Sequence, residues 1–134
     1  MILIDENIPE DQRLSLHRWK INVRQIGHDI GRKGLEDDEI LSMLQNMKGP
    51  TLFTRDLGFY RREFCHNGYG IYVLSVAKEE SAFFMRRALA LPDLQTKARR
   101  LGKIGLISHR KVRILRRNVQ SEEEVDWSQS YTFS

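Results

Sequence analysis

Short apolar runs recur along the chain, separated by stretches long enough for a helix, and this alternation limits the possible folds more than any other feature. The runs are Met1 to Ile4, a weaker one at Ile21, Val23 and Ile26, then Thr51 to Thr54 and Gly70 to Val76. Each is too short for a helix and is bounded by charge, glycine or proline, which suits a buried strand. Between the first two, Pro9 suits a first helical turn, Glu10 and Asp11 favour its amino end, and Leu16 and Trp19 share one face. The next helix opens at Glu36 or Asp37, carries Ile40, Leu41, Leu44 and Met47 on one stripe, and stops at Gly49-Pro50. A third starts at Glu79-Glu80, turns Phe83, Phe84, Leu89 and Leu91 toward the sheet and ends at Pro92, with a short helix following to Leu101. Ile104 to Ser108 and Val112 to Leu115 read as a last strand pair around the turn His109-Arg110-Lys111. Strand and helix in alternation predict an α/β domain: a mainly parallel central sheet with helices on both faces.

At 134 residues the chain fits one domain. Its body is expected over residues 1–117, followed by a loose acidic tail over residues 118–134 in which Val125, Trp127, Tyr131 and Phe133 are the groups able to dock. The single Cys65 has no disulfide partner, and Asp5-Glu6 interrupts the first apolar run at once, so the expected setting is a reducing cytoplasm without membrane contact. Charge is segregated along the chain. Residues 86–117 hold eleven Lys and Arg against one Asp, whereas residues 1–85 hold eleven against thirteen acids. Such a segment can serve as a phosphate-binding surface or as a merely solubilising face. On the first reading Arg86, Arg87, Arg99, Arg100, Lys103, Arg110 and Lys111 contact RNA.

In parallel sheets the functional crevice lies beyond the carboxyl ends of the strands. Asp5-Glu6-Asn7 follows the first strand and Thr54-Arg55-Asp56 closes the third, while Asp37-Asp38-Glu39 opens a helix. Carboxylates gathered in one crevice repel unless protons or a cation neutralise them, and hard Mg²⁺ or Mn²⁺ takes such oxygen ligands. Asp37 can equally be a helix-capping acid, and Asp5 a strand terminator. Thr54 can be an ordinary strand residue or can steady Asp56. The four histidines have no ligand-like spacing and receive no role, and Phe59, Tyr60, Phe64 and Tyr69 read as core before they read as a base-stacking surface. Arg55 is a candidate phosphate clamp, although its strand position turns it away from its immediate neighbours.

Three stretches, Leu3-Ile4-Asp5-Glu6-Asn7-Ile8-Pro9, Glu36-Asp37-Asp38-Glu39-Ile40-Leu41 and Phe53-Thr54-Arg55-Asp56, resemble the PIN-like proteins of the DUF5615 family, and Gly102-Lys103-Ile104 and Val112-Arg113-Ile114 resemble that family's ending. The resemblance implies a PIN-like three-layer α/β/α domain and an endoribonuclease dependent on Mg²⁺ or Mn²⁺, often the toxin of a toxin-antitoxin pair. It puts Asp5, Asp37 and Asp56 at the metal and catalytic positions, with Glu6, Glu39 and Thr54 secondary. RNA, a small antitoxin protein and a second copy of the chain are the partners it admits. The chain departs from the family pattern at one place. Where the third motif usually continues Thr-x-Asp-x-Asp-Phe, Gly58 replaces the second acid. The alternative is therefore a catalytically weakened PIN-like module that binds RNA or protein.

Overall fold

The computed structural model describes residues 1–128. Strands β1 (Ile2–Ile4), β2 (Val23–Gln25), β3 (Thr51–Thr54), β4 (Gly70–Leu74), β5 (Lys103–Ile107), β6 (Lys111–Arg116) and β7 (Val119–Asp126) form one sheet, in the order β2-β1-β3-β4-β5-β6-β7. The first five run parallel, and β6 and β7 close the edge as antiparallel hairpins. Helices α1 (Glu10–Arg18), α2 (Asp37–Gln45), α3 (Ser81–Leu89) and α4 (Lys97–Arg100) complete the α/β architecture.

The alternation of side chains along each strand divides the core in two. On one face Ile4, Phe53, Tyr72 and Leu74 pack under Leu16 of α1 and Phe84, Met85 and Ala88 of α3. On the other, Leu3, Leu52, Ile71 and Val73 meet Ile40 and Leu44 of α2, with Phe59 and Cys65 from the β3–β4 connection. All five residues of β4 are buried, as a central strand covered on both faces requires.

Two apolar expectations are out of phase. Phe83 stands 55% exposed, because α3 turns Ala82, Phe84, Met85 and Ala88 inward. Trp19 caps the end of α1 instead of lying on its buried face, and the guanidinium of Arg86 sits 4.7 Å from its ring centre.

The expected loose tail is corrected over residues 119–126, which form β7. This strand lacks apolar periodicity at Ser121 to Glu124, but each acid there has a partner: Glu122 accepts from the Tyr60 hydroxyl at 2.6 Å, Glu123 pairs with Arg116 at 2.6 Å and Glu124 with Lys111 at 3.0 Å. Val125 and Trp127 then enter the first core cluster, and the Trp127 indole donates to the Ser108 carbonyl at 2.7 Å. The last part of the expected tail, residues 129–134 with Tyr131 and Phe133, lies outside the described residues. Trp127→Phe, which keeps a ring but removes the buried donor, is expected to cost about 1–2 kcal/mol. Chemical denaturation read by circular dichroism checks this, and an unchanged midpoint would show that β7 is only laid on the surface.

Candidate metal and phosphoryl-transfer site

The chain passes from β1 outward to β2, then crosses back to β3 on the other side of β1, so the winding direction reverses between β1 and β3. At such a switch point the loops leaving the two strands diverge and open a crevice at their carboxyl ends. Asp5 and Asp56 leave β1 and β3 at that crevice, and Asp37, at the first turn of α2, joins them from the side.

A hydrogen-bonded frame sets the positions of Asp5 and Asp56. The Thr54 hydroxyl donates to Asp5 Oδ2 at 2.6 Å and accepts from the Asp56 N–H at 3.1 Å, and the Gly58 N–H donates to Asp56 Oδ1 at 2.8 Å. Asp5 is 9% exposed, an unusual burial for a carboxylate, and its backbone N–H donates to Phe53 O. Asp37 titrates above the ordinary carboxylate range: partial burial is the main cause, followed by the charge of Asp56, a side-chain hydrogen bond with Asp56 and the charges of Glu36 and Asp5. Carboxylates this near one another repel, and either a proton or a cation relieves the repulsion. Among the described residues, no three His, Cys, Asp or Glu side chains are grouped to hold an ion in their present rotamers. The donor set nonetheless fits a hard cation in chemistry, since Asp5, Asp37 and Asp56 offer carboxylate oxygens and the charges of Asp56 and Asp5 both help to raise the titration of Asp37.

The secondary candidates separate. Thr54, fully buried, is the keystone between Asp5 and Asp56. Glu39 is engaged elsewhere, closing the capping box of α2 on the Glu36 N–H at 3.0 Å and pairing with Arg32 at 2.8 Å. Glu6 accepts the Gly34 N–H at 2.9 Å and so ties down the connection between β2 and α2. Sequence reasoning missed Gln25. Its buried amide donates to the carbonyls of Asp5 at 3.1 Å and Ile8 at 2.9 Å, which shapes the turn that presents Asp5. The available signal was a polar residue two positions after Val23, hence on the same inward face of β2.

The expected basic surface does not form one patch beside these acids. Arg100 and Lys103 are corrected as contact residues: both are buried, Arg100 donating to Thr51 Oγ1 and Leu94 O at 3.0 Å each, and Lys103 to Asp93 O at 3.3 Å. They lie at the amino end of the sheet, a strand length or about 15 Å from the acids. Arg99 donates to Pro92 O at 2.6 Å, and Arg87 stacks 4.6 Å from the Trp127 ring centre. Of the seven, Arg110, in the β5–β6 turn, and Lys111, which opens β6, share the carboxyl edge with Asp5 and Asp56. Arg55 reaches across to Val76 O at 3.1 Å and lines a groove of about 350 Å³ with His109 at the same edge. No family model matches the chain, and no curated protein or solved structure matches it.

The raised titration of Asp37 gives a pH test. In the folded chain Asp37 keeps a proton that the unfolded chain releases in the ordinary range, so stability from this group is present at acid pH and falls as pH rises through the raised value. In chelator, the Tm difference between Asp37→Asn and wild type is expected to move in favour of the variant as pH rises from about 4 to 7. A difference that stays constant, or moves the other way, would remove Asp37 from the carboxylate cluster.

Proposed function

We propose that the chain is a PIN-like, metal-dependent endoribonuclease whose ion is held by Asp5, Asp37 and Asp56. The observation that carries the reading is that partial burial and then the charges of Asp56 and Asp5 raise the titration of Asp37, so the three carboxyls lie near one another at the topological switch point. A divalent ion there supplies an activated water and charge neutralisation on the scissile phosphate. Thr54 holds Asp5 and the loop of Asp56 in register, and the Gly58 N–H fixes one oxygen of Asp56. Arg55, Arg110 and Lys111, on the same edge, orient the phosphate chain. On this reading the chain is the toxin of a pair, working in the cytoplasm and restrained by a small antitoxin protein. No helix among the described residues is long and apolar enough to cross a membrane.

A second reading, a weakened binding module, is favoured by Gly58. A Cβ at this position would lie 3.0 Å from Asp56 Oδ1 and 3.8 Å from Asp37 Oδ2, so the position faces the cluster yet carries no acid. Its φ lies outside the left-handed region, so a side chain there meets no backbone strain. Gly58→Asp is expected to raise Mn²⁺ affinity roughly tenfold, as an added carboxylate near the ion would. Unchanged affinity in a folded variant would remove the argument for a depleted shell. The proposed activity is tested by incubating purified protein with mixed RNAs in Mn²⁺, Mg²⁺ or chelator. Cleavage that requires metal supports the nuclease, and intact RNA in all three conditions favours the binding module.

A further inference from the structure

The amino end of the sheet carries its own chemistry, opposite to that of the acidic crevice. A cleft of about 640 Å³ opens there, where the β6–β7 hairpin passes the segments leading into β4 and β5. Its polar lining is His66, Asn67, Arg116, Arg117 and Asn118, with Leu101 and Val119 as apolar walls, and among the described residues no Asp or Glu belongs to that lining. The donors are held in place. His66 stacks on Tyr69 with ring centres 5.1 Å apart, and its Nδ1 accepts the Gly68 N–H at 2.9 Å, which leaves Nε2 as the nitrogen carrying hydrogen in the neutral ring. Arg62 clamps the hairpin from behind, donating to Arg116 O at 3.2 Å and Gln120 O at 2.8 Å. Arg116 spends its Nε on Glu123 at 2.6 Å and keeps its terminal nitrogens, while Arg117 is exposed.

Two guanidinium groups beside amide and imidazole donors match the oxygens of a phosphate group. The volume exceeds what a bare phosphate needs and falls in the range of small-ligand sites, and the apolar walls suit a sugar or base. We propose that this cleft is a nucleotide-binding site that takes its ligand by the phosphate, either as a free mononucleotide or as the phosphorylated end of an RNA. It lies about 15 Å from the carboxylates, a strand length away, and needs no metal. Its validity is therefore independent of the nuclease reading.

The test uses the full chain in chelator, titrated with adenosine monophosphate, adenosine and a phosphorylated RNA oligomer, and followed by amide chemical shifts. Adenosine monophosphate is expected to shift His66 to Gly68 and Arg116 to Val119 saturably, adenosine is not, and affinity should weaken as salt rises. Arg117→Gln and Arg116→Gln are each expected to weaken binding about tenfold or more. Arg117 is exposed, so the first variant keeps the fold, and unchanged shifts elsewhere verify this. If the oligomer alone binds, with the same loss in both variants, the phosphate belongs to an RNA chain; if the mononucleotide also binds, free nucleotides are ligands too. Either outcome supports the site. Absence of saturable binding by both phosphorylated probes, equal binding of adenosine, or affinity unaffected by both substitutions would overturn it.

Discussion

Gly70→Ala is expected to destabilise the protein by at least about 4 kcal/mol, a large part of the ~5–15 kcal/mol that holds a domain of this size together. Gly70 opens the central strand β4, and a Cβ there would lie 2.1 Å from the Arg100 carbonyl oxygen and 3.0 Å from its carbon. The obstacle is backbone, so no rotamer change relieves it. Nor is that backbone free to retreat. The buried Tyr72 hydroxyl donates to the same carbonyl at 2.7 Å, and the Arg100 side chain is tied to Thr51 and Leu94. Tyr72 is itself confined by Gly105, where a Cβ would come within 2.6 Å of its ring. Relief would thus break a buried hydrogen bond and shift two strands, unlike a substitution that only adds bulk at a surface. A thermal melt followed by circular dichroism should show Tm lowered by more than about 15 °C, or no transition at all. A Tm within a few degrees of wild type would mean that β4 and the α4–β5 connection are not packed as described.

The second large effect concerns Asp5. On the proposed reading Asp5→Asn is expected to lower metal-dependent cleavage about a thousandfold, roughly 4 kcal/mol of barrier, since one of three charged ligands becomes neutral. The fold should survive. Asparagine is nearly isosteric and its carbonyl oxygen can accept the Thr54 hydroxyl, while the loss of one negative charge eases the repulsion that helps raise the titration of Asp37. Activity and stability should therefore move apart: cleavage lost, Tm in chelator unchanged or raised. Full cleavage by the variant would place the chemistry elsewhere, and a large fall in Tm would make Asp5 a structural residue.

Strand and helix order was legible because β1, β3 and β4 are short, largely apolar runs and β2 carries a weaker apolar signal, and the acids of interest follow two of them. What escaped is what depends on pairing across space. β7 has no apolar rhythm between Ser121 and Glu124, and it holds its place through acids matched to Tyr60, Arg116 and Lys111, partners that are remote in sequence or across a hairpin. The basic segment looked like one surface because its charges are adjacent along the chain. Folding sends Arg100 and Lys103 into the interior at one end of the sheet and Arg110 and Lys111 to the other, since a strand carries its two ends to opposite edges. Gln25 was invisible because a lone polar residue in a short strand announces burial only when its register is known. Asp37 could be read as a helix cap or as a site residue, and its nearness to Asp56, whose charge helps raise its titration, is visible only in space, where spacing along the chain cannot show it.

The most direct test of the central claim is a calorimetric titration of Mn²⁺ into metal-free wild type and into Asp5→Asn, at neutral pH in buffers of different ionisation enthalpy. The account expects one saturable site in wild type and no such site in the variant. Binding that is absent in wild type, or equal in the two proteins, would contradict it.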